Sequence, residues 1–136
     1  VAIEEVLFTR LTTHAGLTAL IGKRCYPLVM PQSTRETEGA KLPCVVYQRI
    51  TGRHEYTHDG EANLAHPRYQ FSCYAKTYQD ARDVRLQVQA ALSAWSDMGL
   101  SPGVFVGFID MEMDLYDSEV EMFRCVIDAT IWHEET

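Results

Sequence analysis

The chain has 136 residues, 46% hydrophobic and 23% charged, a balance that suits one soluble domain spanning residues 1–136 with a sizeable core. No apolar run approaches the roughly 20 residues of a membrane span and no basic-then-apolar leader is read, so neither a membrane partner nor a secretory route is expected. The net charge of −7 is uneven: residues 1–109 carry 11 Lys/Arg against 10 Asp/Glu, and residues 110–136 carry one against nine, an acidic end that argues against gripping nucleic-acid phosphates.

Residues 3–13 read as a helix, because Ile3, Val6, Leu7 and Leu11 recur at helical spacing. Gly16 interrupts it, and Leu17-Thr18-Ala19-Leu20-Ile21 makes a short second turn ending at Gly22. The two prolines of Tyr26-Pro27-Leu28-Val29-Met30-Pro31 predict an irregular segment. Residues 32–41 hold no large apolar side chain and read as a long exposed loop, a length that in compact domains is often functional.

Residues 44–51 read as a strand, with Val45, Val46, Tyr47 and Ile50 β-branched or aromatic. Residues 69–75 are the next, with Tyr69, Phe71 and Cys73 on one face. Between them Asp59-Gly60 marks a hairpin turn. Residues 78–96 carry a helical stripe of Ala81, Val84, Val88, Ala91, Leu92 and Trp95, with Arg82, Asp83, Arg85 and Gln89 outside. Residues 104–109 form a strand. In 122–133, Phe123, Cys125, Ile127, Ala129 and Ile131 face inward, and Arg124, Asp128 and Thr130 face outward. Asp117-Ser118-Glu119 is the turn between these two strands. The expected fold is α+β: an antiparallel sheet of about four strands with two helices packed on one face.

Two motifs suggest metals. His54-Glu55-Tyr56-Thr57-His58 reads H-E-x-x-H, the pattern of a small zinc-dependent hydrolase. That chemistry needs a helix, where residues four apart share a face. On a strand, at about 3.3 Å per residue, the two imidazoles would stand about 13 Å apart. Gly52 before the motif and Asp59-Gly60 after it favour a hairpin arm, and Leu64 stands where a third His ligand would be. Asp110, Glu112, Asp114 and Glu121 match four ligand positions of an EF-hand loop, but Leu115 replaces the required glycine. The simpler reading is a β-arm with alternate acids on its wet face and Met111 and Met113 pointing the other way. Cys25, Cys44, Cys73 and Cys125 form no C-x-x-C pair and read as free buried thiols. His14 and His66 read as surface residues and His133 as structural. No catalytic residue, metal site or cofactor is expected.

Several runs, in order along the chain, resemble the tail-completion, or tail-terminator, family of long-tailed bacteriophages and of phage-like particles such as gene transfer agents. They are Ile21-Gly22 leading to Tyr26-Pro27 and Pro31-Gln32; Leu42-Pro43 with Val45-Val46-Tyr47-Gln48; Arg68-Tyr69-Gln70-Phe71 with Tyr74-Ala75-Lys76-Thr77-Tyr78 and Ala81; and Asp114-Leu115-Tyr116 with Phe123-Arg124 and Ile131-Trp132. The resemblance implies a virion structural protein rather than an enzyme. It would form a ring, usually a homo-hexamer, at the head-proximal end of the tail tube. Such a ring stops tube growth and meets the head-side connector, and it assembles in the bacterial host cytoplasm. A head-side connector or stopper is the neighbouring reading. The partners implied are the chain itself, the tube protein and the connector, with DNA passing through without specific binding. Candidate contact residues are Arg35, Lys41, Arg53, His54, Tyr56 and His58; Asp110, Glu112, Asp114, Glu119 and Glu121 are candidates to line the channel.

Overall fold

The computed structural model describes residues 3–22, 24–27, 43–52, 54–57, 60–99, 103–118 and 122–134, with backbone alone at 54–57, 60–64 and 117. Its elements are α1 (Ile3–Thr13), α2 (Ala15–Ile21), β1 (Cys25–Pro27), β2 (Cys44–Thr51), β3 (His54–Thr57), β4 (Gly60–Ala65), β5 (Arg68–Ala75), α3 (Tyr78–Leu92), β6 (Val104–Asp117) and β7 (Met122–Glu134).

The helices begin and end for local reasons. Glu4 and Glu5 sit in the first turn of α1 and Arg10 in its last, which suits the helix dipole. Gly22 ends α2 at φ 62°, its N–H donating to the Thr18 carbonyl at 2.9 Å. Thr77 caps α3, its hydroxyl accepting from the Asp80 N–H at 3.2 Å. α3 stops at Leu92, short of the expected 96, because Ala94 takes a left-handed φ of 58°. Trp95 still reaches the core, from beyond the helix end.

The strands run in the lateral order β1-β2-β5-β7-β6, and β4 continues the line of β5 and carries β3 outward. β7 is the spine. It pairs antiparallel with β5 from Arg68↔Thr130 to Ala75↔Phe123, and with β6 from Val104↔His133 to Asp117↔Met122. One face of the sheet presents Val45, Tyr47, Phe71, Cys73, Cys125, Ile127, Ala129 and Ile131 to the helices. There they join Leu7 and Leu11 of α1, Leu17 and Ile21 of α2, and Val84, Val88 and Leu92 of α3 in one core. Fully burying such a side chain stabilises the fold by about 1.5–3 kcal/mol.

The expected fold class holds, with corrections. Among the described residues seven strands replace about four, three helices replace two, and the sheet is mixed because β1 pairs parallel with β2. Tyr26 and Pro27, expected to be irregular, belong to β1; Pro27 is tolerated because it ends a three-residue strand at the end of the sheet path. The expected loop at 32–41 lies outside the described residues. No helix among the described residues is long and apolar enough to cross a membrane.

Candidate functional site

β6 changes character halfway along. Its first half is covered: Asp97 and Val104 exchange N–H···O bonds of 2.8 and 2.9 Å, and the Ala94 N–H donates to the Gly107 carbonyl at 2.9 Å. Then the register slips. Ile109 stands opposite Ala129 and Met111 opposite Asp128, so Asp110 is an extra, bulged residue. A one-residue slip exchanges the two faces of everything beyond it.

Beyond the bulge, Glu112, Asp114 and Tyr116 stand opposite Ile127, Cys125 and Phe123, on the helix side. Arg85 of α3 turns toward them rather than outward as expected. Its guanidinium pairs with Glu112, and its Nε lies 3.7 Å from Asp114 Oδ1. The Tyr78 hydroxyl donates to Asp114 Oδ2 at 2.8 Å. That bond chiefly holds the Asp114 carboxyl below its ordinary value; burial opposes it, and the Cys125 thiol and Arg85 assist. Phe123 stacks obliquely on Tyr116 at 4.8 Å and meets Tyr78 edge-on at 6.1 Å.

The opposite face of β6 is apolar and uncovered. Phe108, Met111, Met113 and Leu115 lie there, opposite Thr130, Asp128, Val126 and Arg124. They are 50%, 38%, 43% and 42% exposed. Six of the ten exposed large hydrophobic side chains among the described residues belong to β6. Asp110 itself accepts a 2.5 Å hydrogen bond from the Thr130 hydroxyl. The expected wet face of alternate acids is therefore corrected: the bulge separates Asp110 from Glu112 and Asp114, and the methionines are as exposed as the acids.

The same helix-free face holds a buried charge. Asp128 was expected to face outward and does, yet it is only 2% exposed. Arg68 pairs with it at 2.5 Å. Neighbouring Arg124 donates from Nε to the Ser72 hydroxyl at 3.1 Å and lies 5.8 Å over the Tyr74 ring.

A third cluster joins α1 to the sheet. The Tyr69 hydroxyl donates to Glu4 Oε2 at 2.7 Å, and Arg49 donates to the same hydroxyl at 3.0 Å and pairs with Glu4. An open cleft of about 300 Å³ adjoins it, lined by Glu4, Glu5, Phe8, Thr9 and Tyr47. Burial pushes the Tyr69 hydroxyl well above the usual tyrosine range, so it stays protonated at neutral pH and is no base. The cluster ties elements together.

Of the sequence-predicted contact and channel residues, Arg35, Lys41, Arg53, His58, Glu119 and Glu121 lie outside the described residues. His54 and Tyr56 are placed by backbone alone, on β3. β3 and β4 pair from His54↔Ala65 to Thr57↔Gly60, so His54-Glu55-Tyr56-Thr57 is extended and the helix that H-E-x-x-H needs is not formed. The EF-hand reading fails likewise, because Asp110, Glu112 and Asp114 lie on a strand running to Asp117. His66, expected at the surface, stacks on Trp132 at 4.0 Å, and His133 is buried. Arg85 and Tyr78, the partners of the acids, were missed. The available signal was their spacing of seven residues on α3, which aligns them with Leu92.

The sequence model of the family described as Tail completion protein gp17 matches residues 5–134. Among solved structures, the fold is similar to a chain of the "Virion of native gene transfer agent (GTA) particle", with a TM-score of 0.74 and 15% identity. The likeness covers 94% of this chain and 91% of that one, and at this identity it concerns the fold. No curated protein matches. Since the family model spans nearly the whole sheet and all three helices, the chain belongs to the tail completion protein gp17 family.

Proposed function

We propose that this chain is a structural, non-catalytic protein of a phage or phage-like tail. Residues 1–136 act as one domain, and six copies close into a ring at the head-proximal end of the tail tube. The ring ends tube growth and offers a surface to the head-side connector. The observation that carries this reading is the family match over residues 5–134. The extended backbone of β3 and β6 supports the non-catalytic part, because both metal motifs need other geometries. Arg35, Lys41, Arg53, His54, Tyr56 and His58 are the proposed contacts to the tube or the next subunit. Asp110, Glu112, Asp114, Glu119 and Glu121 are proposed to face the bore and repel DNA phosphates, with Arg85 offsetting part of that charge.

Native mass spectrometry from neutral buffer, with and without polymerised tube protein, tests this. A metal-free hexamer, free or on the tube, is expected. A chain that stays monomeric in both conditions, or that binds the head-side adaptor but never the tube, would overturn the terminator reading. A monomer holding one tightly bound zinc would return the argument to His54 and His58.

A further inference from the structure

The cleft beside α1 is built from few parts. Glu4, Glu5, Phe8 and Thr9 line it from the first two turns of α1, and Tyr47 lines it from β2. Glu4 and Phe8, like Glu5 and Thr9, are four apart, so each pair stands together on the helix surface. Tyr47 meets that wall from the sheet, its ring 6.3 Å from the Phe71 ring. At about 300 Å³ the cleft lies at the lower end of the range for small-molecule sites, enough for one long side chain.

Two of these groups are not used by the fold. Tyr47 is 7% exposed, yet its hydroxyl has no hydrogen-bond partner among the described residues. The Tyr69 hydroxyl, by contrast, bonds both Glu4 and Arg49. A nearly buried phenol ordinarily finds a partner, and this one belongs to a residue lining the cleft. Burial, with Cys25 and Glu4, raises it above its ordinary value, so at neutral pH it is an uncharged hydroxyl whose oxygen can accept a hydrogen bond. Glu5 is exposed and in no ion pair among the described residues. Glu4 and Glu5 carry two negative charges and Arg49, paired with Glu4, carries one positive, which leaves one negative charge at the cleft. Arg10 is engaged elsewhere: its Nε donates to the Ala91 carbonyl at 2.8 Å, and its guanidinium lies 5.6 Å from the centre of the Trp95 ring.

The surplus negative charge disfavours phosphate and carboxylate ligands and suits a single cation. The Phe8 and Tyr47 rings offer surface to an alkyl stem and to the cation itself. Glu5 and the Tyr47 hydroxyl offer acceptors. A lysine or arginine side chain supplies the stem, one positive charge and only donors. The open shape indicates where that side chain comes from. One partly solvated ion pair binds weakly, too weakly to capture a scarce free amine. Within a larger interface the same cation arrives at high effective concentration, and the contact then sets position and partner. We infer that the cleft between α1 and β2 is a socket for a lysine or arginine side chain of a partner protein, with Glu5 and the Tyr47 hydroxyl receiving its N–H groups and Phe8 its stem. The inference does not depend on how many copies of this chain assemble.

The test follows amide NMR spectra of the isotope-labelled full chain at neutral pH. The probes are N-acetyl-arginine methylamide, N-acetyl-lysine methylamide, uncharged N-acetyl-norleucine methylamide and spermidine. The arginine or the lysine compound should give saturable shifts at Glu4, Glu5, Phe8, Thr9 and Tyr47, and the norleucine compound should bind at least about 5-fold more weakly. Glu5→Gln should weaken binding of the cation about 5-fold and Tyr47→Phe about 3-fold. Both remove groups that bond nothing in the fold, so circular dichroism should show folded variants. Asp110→Asn changes a carboxylate bonded to Thr130 on the opposite face of the sheet and should bind as wild type. No saturable shift at the cleft, equal binding of the norleucine compound, or unchanged binding in Glu5→Gln or Tyr47→Phe would overturn the inference. Shifts of equal strength along the acids of β6 would mark general attraction to a chain of net charge −7, and would overturn it too. Spermidine held at least about 10-fold more tightly than both capped residues would replace the partner protein with a free polyamine.

Discussion

Gly107 runs directly beneath the Leu92 carbonyl: a Cβ built on Gly107 would lie 2.4 Å from that oxygen and 3.3 Å from Ile131 Cδ1. The obstacle is backbone at the end of α3, held there by the Ala94 N–H bond to the Gly107 carbonyl. Gly107→Ala should therefore cost about 1–3 kcal/mol, the usual range for forcing atoms into a packed site. Urea unfolding measures this, with Gly99→Ala as a near-neutral control, since its new Cβ meets only the Asp97 side chain at 3.2 Å. An unchanged midpoint for Gly107→Ala would mean that the α3–β6 junction gives way freely.

Arg68→Met should be destabilising out of proportion to its exposure. It strands the Asp128 carboxylate, whose side chain is 3% exposed and whose Oδ1 already has no hydrogen-bond partner among the described residues. Breaking a fully buried pair costs about 3–5 kcal/mol, but Arg68 is 40% exposed and water reaches it, so about 1–3 kcal/mol is expected. Adding Asp128→Asn to Arg68→Met should recover part of that loss. A strictly additive double variant in thermal unfolding would show that the two groups do not interact.

The four thiols should be unreactive in the native chain. All are free and buried. Burial pushes Cys25 up to about 12 and Cys44 and Cys125 up to about 11, and it raises Cys73 well above its ordinary value. Ellman's reagent at pH 8 should titrate the four thiols rapidly only in urea. Because the folded chain holds these protons more tightly, their contribution is fully present below pH 9 and is lost as pH rises toward about 12. Rapid native labelling would contradict the placement of β1, β2, β5 and β7.

On the acid side the sign reverses. Burial works against the Glu4 charge, but the Tyr69 hydroxyl and Arg49 outweigh it and hold the carboxyl below its ordinary 4.5. Asp114 is lowered too, chiefly by Tyr78. A depressed carboxylate contributes stability above its unfolded value and loses it as pH falls through the folded one. Stability should thus fall progressively below pH 4.5. Tyr69→Phe should raise the Glu4 carboxyl toward its ordinary value in an NMR titration and cost about 0.5–1 kcal/mol at neutral pH, a small figure because Glu4 is partly exposed. No movement of the Glu4 resonance would break the proposed link.

Most of the core was readable from residue pattern. α1 and β2 match their expected bounds, because Ile3, Val6, Leu7 and Leu11 keep one helical period and Val45-Val46-Tyr47 is a β-branched and aromatic run. β7 alternates as read, and the chain does turn back between the paired strands β3 and β4, although Asp59 of the expected Asp59-Gly60 turn lies outside the described residues and Gly60 already pairs with Thr57. What escaped was set by distant contacts. β1 exists only through its parallel partner β2. The end of α3 depends on Ala94, a residue with no turn preference of its own. The arm's acids and methionines were visible as alternation, but a bulge leaves no mark in composition, so their division between faces was not.

β7 is also synthesised after every strand it joins. As the chain leaves the ribosome, β5 can pair with β2, but its other edge waits for β7, and among the described residues β6 and the β3–β4 hairpin join the sheet through β7. The nascent chain therefore carries a half-finished sheet through most of its translation, with Phe71 and Cys73 lacking their β7 cover. Refolding should be governed by this late, non-local closure, and a chain stalled before residue 122 should be a substrate for chaperones rather than a folded intermediate.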